Sequence, residues 1–219
     1  MSEWWTYTLS DFLLFSPRTY YRLLEIYNTA IWPAQIVAVA AGLAILALRR
    51  RGRLVALLLS ACWLWVAIEF HLRRYATINW AAVYFAAAFA LEALLLLWAG
   101  ARGRLAFERG GDTVGRVGLG IFVFALALEP VTDFLAGRGW RQVEVFGVAP
   151  DPTAVATLGL LLLAAGRVRW ELLGVPAIWC LISGATLWAM KSPVAAIPPL
   201  AAALAVGFAL ARTLALRNR

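Results

Sequence analysis

The sequence predicts an all-α membrane protein, a bundle of about seven transmembrane helices. Three observations predict it. Apolar residues make up 63% of the 219-residue chain, against roughly 45–50% in a soluble domain. They gather in runs of roughly 20, the length that crosses about 30 Å of hydrocarbon. The charged residues, only 15% of the chain, stand in short clusters between those runs.

The elements follow in order. Residues 1–28 read as an interfacial lead-in, because Trp4, Trp5, Tyr7, Tyr20, Tyr21 and Tyr27 carry rings that favour the headgroup layer. Ser16-Pro17 starts a short surface helix, with Ser as cap and Pro in the first turn. Its apolar face is Tyr20, Leu23, Leu24 and Tyr27. No secretory signal is visible there, since a basic leader segment is lacking.

The transmembrane domain, residues 29–219, contains the spans. The first covers 29–48 and stops at Arg49-Arg50-Arg51-Gly52-Arg53. The second covers 54–71, the third 80–99, the fourth 118–136 and a short fifth 153–166. The sixth covers 170–190, and the seventh runs from after Pro193 to about 216. Thirteen of the 20 basic residues then share a side with the Arg49–Arg53 cluster, against seven opposite. By the positive-inside rule the N-terminus is outside and the C-terminus inside.

Arg53 precedes Trp63 by ten residues, and Arg169 precedes Trp179 by ten. Pro33 and Pro152 open spans of the same direction. These features suggest a 3+1+3 parallel repeat of the kind found in small transporters.

The net charge of +8 is explained by topology, so no nucleic-acid partner is expected. Cys62 and Cys180 lie inside apolar runs and read as buried thiols without a disulfide. The chain has no P-loop, HExxH or GxSxG, and its single His cannot provide bis-His haem ligation. Gly115, Gly118 and Gly120 open a helix and serve close packing. No catalytic residue, cofactor or metal is therefore expected, and the chain is not read as an enzyme.

Ionisable residues inside spans are costly in hydrocarbon and usually face the bundle interior. They are Glu92 in the third span and Glu129 and Asp133, four apart on one face of the fourth. Pro130 between them removes a backbone donor and favours a kink. Two carboxylates in low dielectric suit proton or cation handling. The alternative is an ion pair of Asp133 with Arg138, Arg73 or Arg74. Glu69 and Arg73 have i,i+4 ion-pair spacing; alternatively Glu69 and His71 belong to an outward-facing polar site. Trp32, Trp80, Trp98, Trp140, Trp170 and Trp188 fall at span ends as an interfacial belt, while Trp63, Trp65 and Trp179 lie deeper.

Three stretches carry a family resemblance. They are Tyr27-Asn28 with Ala30-Ile31-Trp32-Pro33-Ala34-Gln35, His71 with Ile78-Asn79, and Phe146-Gly147-Val148-Ala149-Pro150-Asp151-Pro152-Thr153. They resemble a family of bacterial membrane proteins catalogued as domain of unknown function 6064. The likeness runs from about residue 20 to the end, and the third stretch is the most specific. The family often has Cys between its two prolines; Asp151 stands there instead, which argues against a thiol-dependent role. The resemblance implies a multi-pass protein of the bacterial inner membrane and supplies no activity.

Asn28, Gln35, Glu69, His71, Asn79 and Asp151 fall near outer span ends and are the candidate lining of one outward-facing solute pocket. Two functions follow. One is a small-solute permease or channel-like carrier in which Glu92, Glu129 and Asp133 line a proton or ion path and Pro193, Pro198 and Pro199 let the last helix bend. The other is an accessory or scaffold subunit that binds partner chains within the bilayer.

Overall fold

The computed structural model describes residues 13–107 and 112–217, so the aromatic start of the lead-in and Arg109 lie outside the described residues. Helix α1 (Pro17–Ala30) starts as its sequence dictates. The Ser16 side chain accepts from the Thr19 N–H at 3.1 Å, and Pro17 occupies the first turn. Its buried face is Tyr20, Leu23, Leu24 and Tyr27. That face lies against protein, which corrects the headgroup role expected for Tyr20 and Tyr27. Tyr27 donates its hydroxyl to the Val148 carbonyl at 2.7 Å and accepts from the Trp65 indole at 3.0 Å.

The first predicted span is an elbow. The Trp32–Pro33 peptide is cis, and α2 (Ala34–Ala47) leaves α1 at 85°. Helix α3 (Gly52–Trp65) continues through a π-helical turn (Val66–Leu72) and packs along α4 (Ala82–Ala101). The two approach closely at Gly100, where an added Cβ would collide with the Ala56 Cβ.

The fourth span is α5 (Thr113–Val123), a π-helical turn (Phe124–Leu128) and α6 (Glu129–Leu135). The widened turn falls immediately before Pro130, whose missing N–H cannot continue a regular ladder. Gly118 and Gly159 face each other where α5 meets α7 (Pro150–Leu162), as close packing predicts. A Cβ on either glycine would approach the other's carbonyl oxygen to about 2.5 Å.

Helix α7 differs most from its predicted span. It has 13 residues, all buried, and at 1.5 Å per residue is about 20 Å long, too short to cross alone. Its lipid-like apolarity comes from being surrounded by other helices. Helices α8 (Trp170–Ala189) and α9 (Ile197–Arg217) complete the bundle. Pro198 and Pro199 sit in the first turn of α9, where no helical N–H bond is missed, so they start that helix rather than bend it.

Among the described residues, five helices are long and apolar enough to cross a membrane: Gly52–Thr77, Ala82–Ala101, Thr113–Leu135, Trp170–Ala189 and Ile197–Arg217. The bent α1–α2 pair makes a sixth if it forms one broken span. The six tryptophans placed at span ends are all exposed; of the three expected deeper, Trp63 and Trp179 are buried and Trp65 is exposed. The segments rich in arginine meet at one end of the bundle. There the Ala165 N–H donates to the Ala106 carbonyl at 2.7 Å, and Arg169 donates to the Arg104 carbonyl at 3.2 Å.

Candidate functional site

At the other end the chain between α6 and α7 folds into the bundle. Glu129 and Asp133 share the inner face of α6. Gly137, at φ +86, turns the chain back, and Arg138 reaches Asp133 at 2.8 Å with both side chains buried. The Glu144 N–H then donates to the second Asp133 oxygen at 3.0 Å. Glu144 lies 3.6 Å from Arg138 and accepts from the Tyr20 hydroxyl at 3.4 Å.

Gly147 adopts φ +80 where a Cβ would meet Ala38 and Cys62 at about 3 Å, so only glycine fits this turn. Its N–H donates to Thr153 at 2.9 Å, fixing the start of α7. Asp151, in that first turn, accepts from the Trp179 indole at 2.8 Å and from the Ser183 hydroxyl at 2.6 Å. Trp179 and Ser183 are four apart on α8 and so share a face.

Glu129, Asp133, Arg138, Glu144 and Asp151 thus enclose one cavity of about 10 Å³, closed by Leu187, Val194, Ile197 and Pro198. It has room for about one water. Four carboxyls stand against one guanidinium, and all five side chains are buried. One oxygen each of Glu129 and Glu144, and two nitrogens of Arg138, have no hydrogen-bond partner. Burial, reinforced by the Asp151 and Asp133 charges, pushes the Glu144 carboxyl well above its ordinary value, against the pull of Arg138. Burial also opposes the Arg138 charge, but Asp133 and Glu144 outweigh it and hold the guanidinium protonated. Such a site can hold or release a proton.

The structure distributes the other predicted residues. Asn28 donates to the carbonyls of Arg141 and Val143, both at 2.9 Å, and Gln35 donates to the Asn28 carbonyl at 2.9 Å. These two share a cavity of about 450 Å³ with Trp32, Trp140 and Arg141. Glu69 pairs with Arg73 at 2.8 Å. Asn79 caps the approach to α4 by accepting from the Ala81 N–H at 3.0 Å. Asp151 belongs to the acid cluster.

His71, in the π-helical turn, is buried with neither ring nitrogen hydrogen-bonded. The rings of Phe89, Trp179 and Phe70 stand 4.5, 5.0 and 5.3 Å from it. Glu92 is likewise buried with both oxygens unpartnered. So Glu129, Asp133 and Asp151 come together, and Glu92 and His71 stand apart from them in ion-pair terms. Glu144, which sequence reasoning passed over, is an acid between Val143, Val145 and Phe146; that apolar setting was its only signal. Among the described residues no group of three or more His, Cys, Asp or Glu has metal-holding geometry.

Comparison with known families matches residues 18–218 to the family of unknown function (DUF6064). Neither the curated proteins nor the solved structures contain a match. The stretch that carried the resemblance most specifically, residues 146–153, contributes Asp151 to the acid cluster.

Proposed function

This chain belongs to the family of unknown function (DUF6064), and we propose that it is a small-solute carrier that moves protons or cations through its buried acid cluster. The observation that carries this reading is the mismatch of four buried carboxyls with one guanidinium around a water-sized cavity. A purely structural ion pair needs no such excess, and polar groups buried among membrane helices mark proton and ion paths. Glu92 on α4 is the second station of the path. The cavity at Asn28 and Gln35, where a buried Gln35 oxygen has no partner, is the solute site. In this reading the protein sits in the bacterial inner membrane with its N-terminus outside, an orientation that the basic-residue asymmetry supports. No enzymatic step and no cofactor enter this reading.

The test is proton flux in proteoliposomes, driven by a potassium gradient with valinomycin and followed with a pH-sensitive dye. Glu129→Gln, Asp133→Asn and Glu92→Gln are expected to abolish flux while each protein stays folded in the membrane. Unchanged flux in all three removes these residues from any mechanism.

A second reading, as an accessory subunit, is favoured by α2, which buries only Ala38, Gly42 and Ile45 within the chain. Native mass spectrometry of the protein drawn gently from its own membrane decides it. Stoichiometric partner chains support the subunit; a lone chain or homo-oligomer supports the carrier.

A further inference from the structure

We infer that the groove between α1 and the turn that follows α3 is a binding site for a phosphate-bearing anion, from a lipid headgroup or from solution. The groove encloses about 870 Å³ and is lined by Arg18, Arg22, Arg73 and Arg74. A single acid, Glu25, lines it with them and pairs with Arg22 at 3.0 Å. Arg73 is held by Glu69. Arg18 and Arg74 have no ion-pair partner among the described residues.

Two planar guanidinium forks left unpaired in one concave surface match an anion with several acceptor oxygens. Phosphate has more of these than a carboxylate, whose two oxygens are both engaged by one bidentate arginine. Arg18 and Thr19 also stand in the first turn of the 14-residue α1, whose dipole adds positive potential on the same side.

The groove adjoins the acid cluster without belonging to it. Tyr21 lines the groove and also carries the Arg138 guanidinium 5.0 Å from its ring centroid. Gln142, from the inserted loop, lines the same wall. Occupancy of the groove is therefore placed one side chain from the cluster's only cation.

The test uses the full chain and two probes. Inorganic phosphate is titrated in detergent at constant ionic strength, with chloride as control, and thermal unfolding is followed. Separately, the protein in nanodiscs of phosphatidylcholine with or without phosphatidylglycerol is examined for retained lipid by native mass spectrometry. Specific binding of one probe is expected. Arg18→Gln with Arg74→Gln should weaken it about tenfold or more. Arg50→Gln with Arg217→Gln, the same charge change at the opposite end, should leave it unaltered.

Phosphate protection identifies a soluble ligand, and phosphatidylglycerol retention a lipid; either supports the site. Binding of neither probe overturns it, as does equal weakening by both pairs of substitutions, which would be bulk charge alone. Both groove residues lie outside the buried core, so the variants are expected to elute and unfold like the parent in the absence of probe.

Discussion

An arginine stands near each end of helix α7, and the two are partnered on different terms. At its C-terminus Arg212 donates to the carbonyls of Leu162 and Ala164 at 3.1 and 2.7 Å and pairs with Asp112 at 2.9 Å. One cation meets one anion and two helix-end carbonyls, the Asp112 side chain is 58% exposed, and neither side chain leaves a buried polar atom unpaired. At the N-terminus Arg138 meets Asp133 and Glu144 with Glu129 and Asp151 beside them, all buried, and unpaired polar atoms remain. The first arrangement is a matched cap that needs no further explanation. The second leaves carboxyls in excess of the one guanidinium. The two arrangements therefore differ in charge balance and in burial.

The strongest way to break this contrast is to remove each cation. Arg138→Gln leaves four buried carboxyls with no partner charge, and loss of one member of a buried pair costs about 3–5 kcal/mol. The variant is expected to unfold far earlier than the parent in detergent, and adding Asp133→Asn should restore part of the loss. If Arg212→Gln shifts thermal unfolding as much as Arg138→Gln, the two ties are equivalent and the contrast fails.

A smaller effect is read along pH. Glu144 titrates above its ordinary 4.5 in the folded protein, so between those two values the folded state binds more proton than the unfolded one. Stability must then fall as pH rises through that window, by at most about 1.4 kcal/mol per unit for one proton. Glu144→Gln is expected to flatten the decline without altering stability at the acid side of it. A parent protein that gains stability over the same window would contradict the buried, charge-crowded setting of Glu144.

How much of this was legible in the sequence follows from what periodicity can carry. The buried face of α1, the Glu69–Arg73 pair and the exposed tryptophans at helix ends were readable because each depends on spacing along one helix. So was the Asp133–Arg138 pair, as one of three partners. The elbow at residues 31–33 was not, because an apolar run reads the same whether it is straight or bent by 85°. The acid cluster was half legible. Glu129 and Asp133 stood on a helix, but Arg138 and Glu144 sit in a segment with no period, and a loop's sequence says nothing of its depth. The bonds that pull it inward, Tyr27 to Val148 and Asn28 to Val143, join residues 121 and 115 apart. Only the fold brings those together.

The smallest expected effect belongs to the matched tie, and its sign sharpens the contrast. Arg212, bonding to Asp112, and the Gly115 N–H hold the Asp112 carboxyl below its ordinary 3.8. A carboxyl lowered by folding contributes stability that is present above its unfolded value and is lost as pH falls through the folded one. The matched tie therefore weakens in acid, where Glu144 at the mismatched tie is at its most favourable. Asp112→Asn keeps an oxygen to cap α5 and removes the charge, so it should cost less than about 1 kcal/mol at neutral pH. It should also erase that part of the acid loss, as read by thermal unfolding from neutral pH down to about pH 3. Combined with Glu144→Gln, the two substitutions should act additively, because they sit at opposite ends of a helix about 20 Å long. Non-additivity would mean that α7 couples its two ties, and the cluster would then be sensed at the arginine-rich end of the bundle.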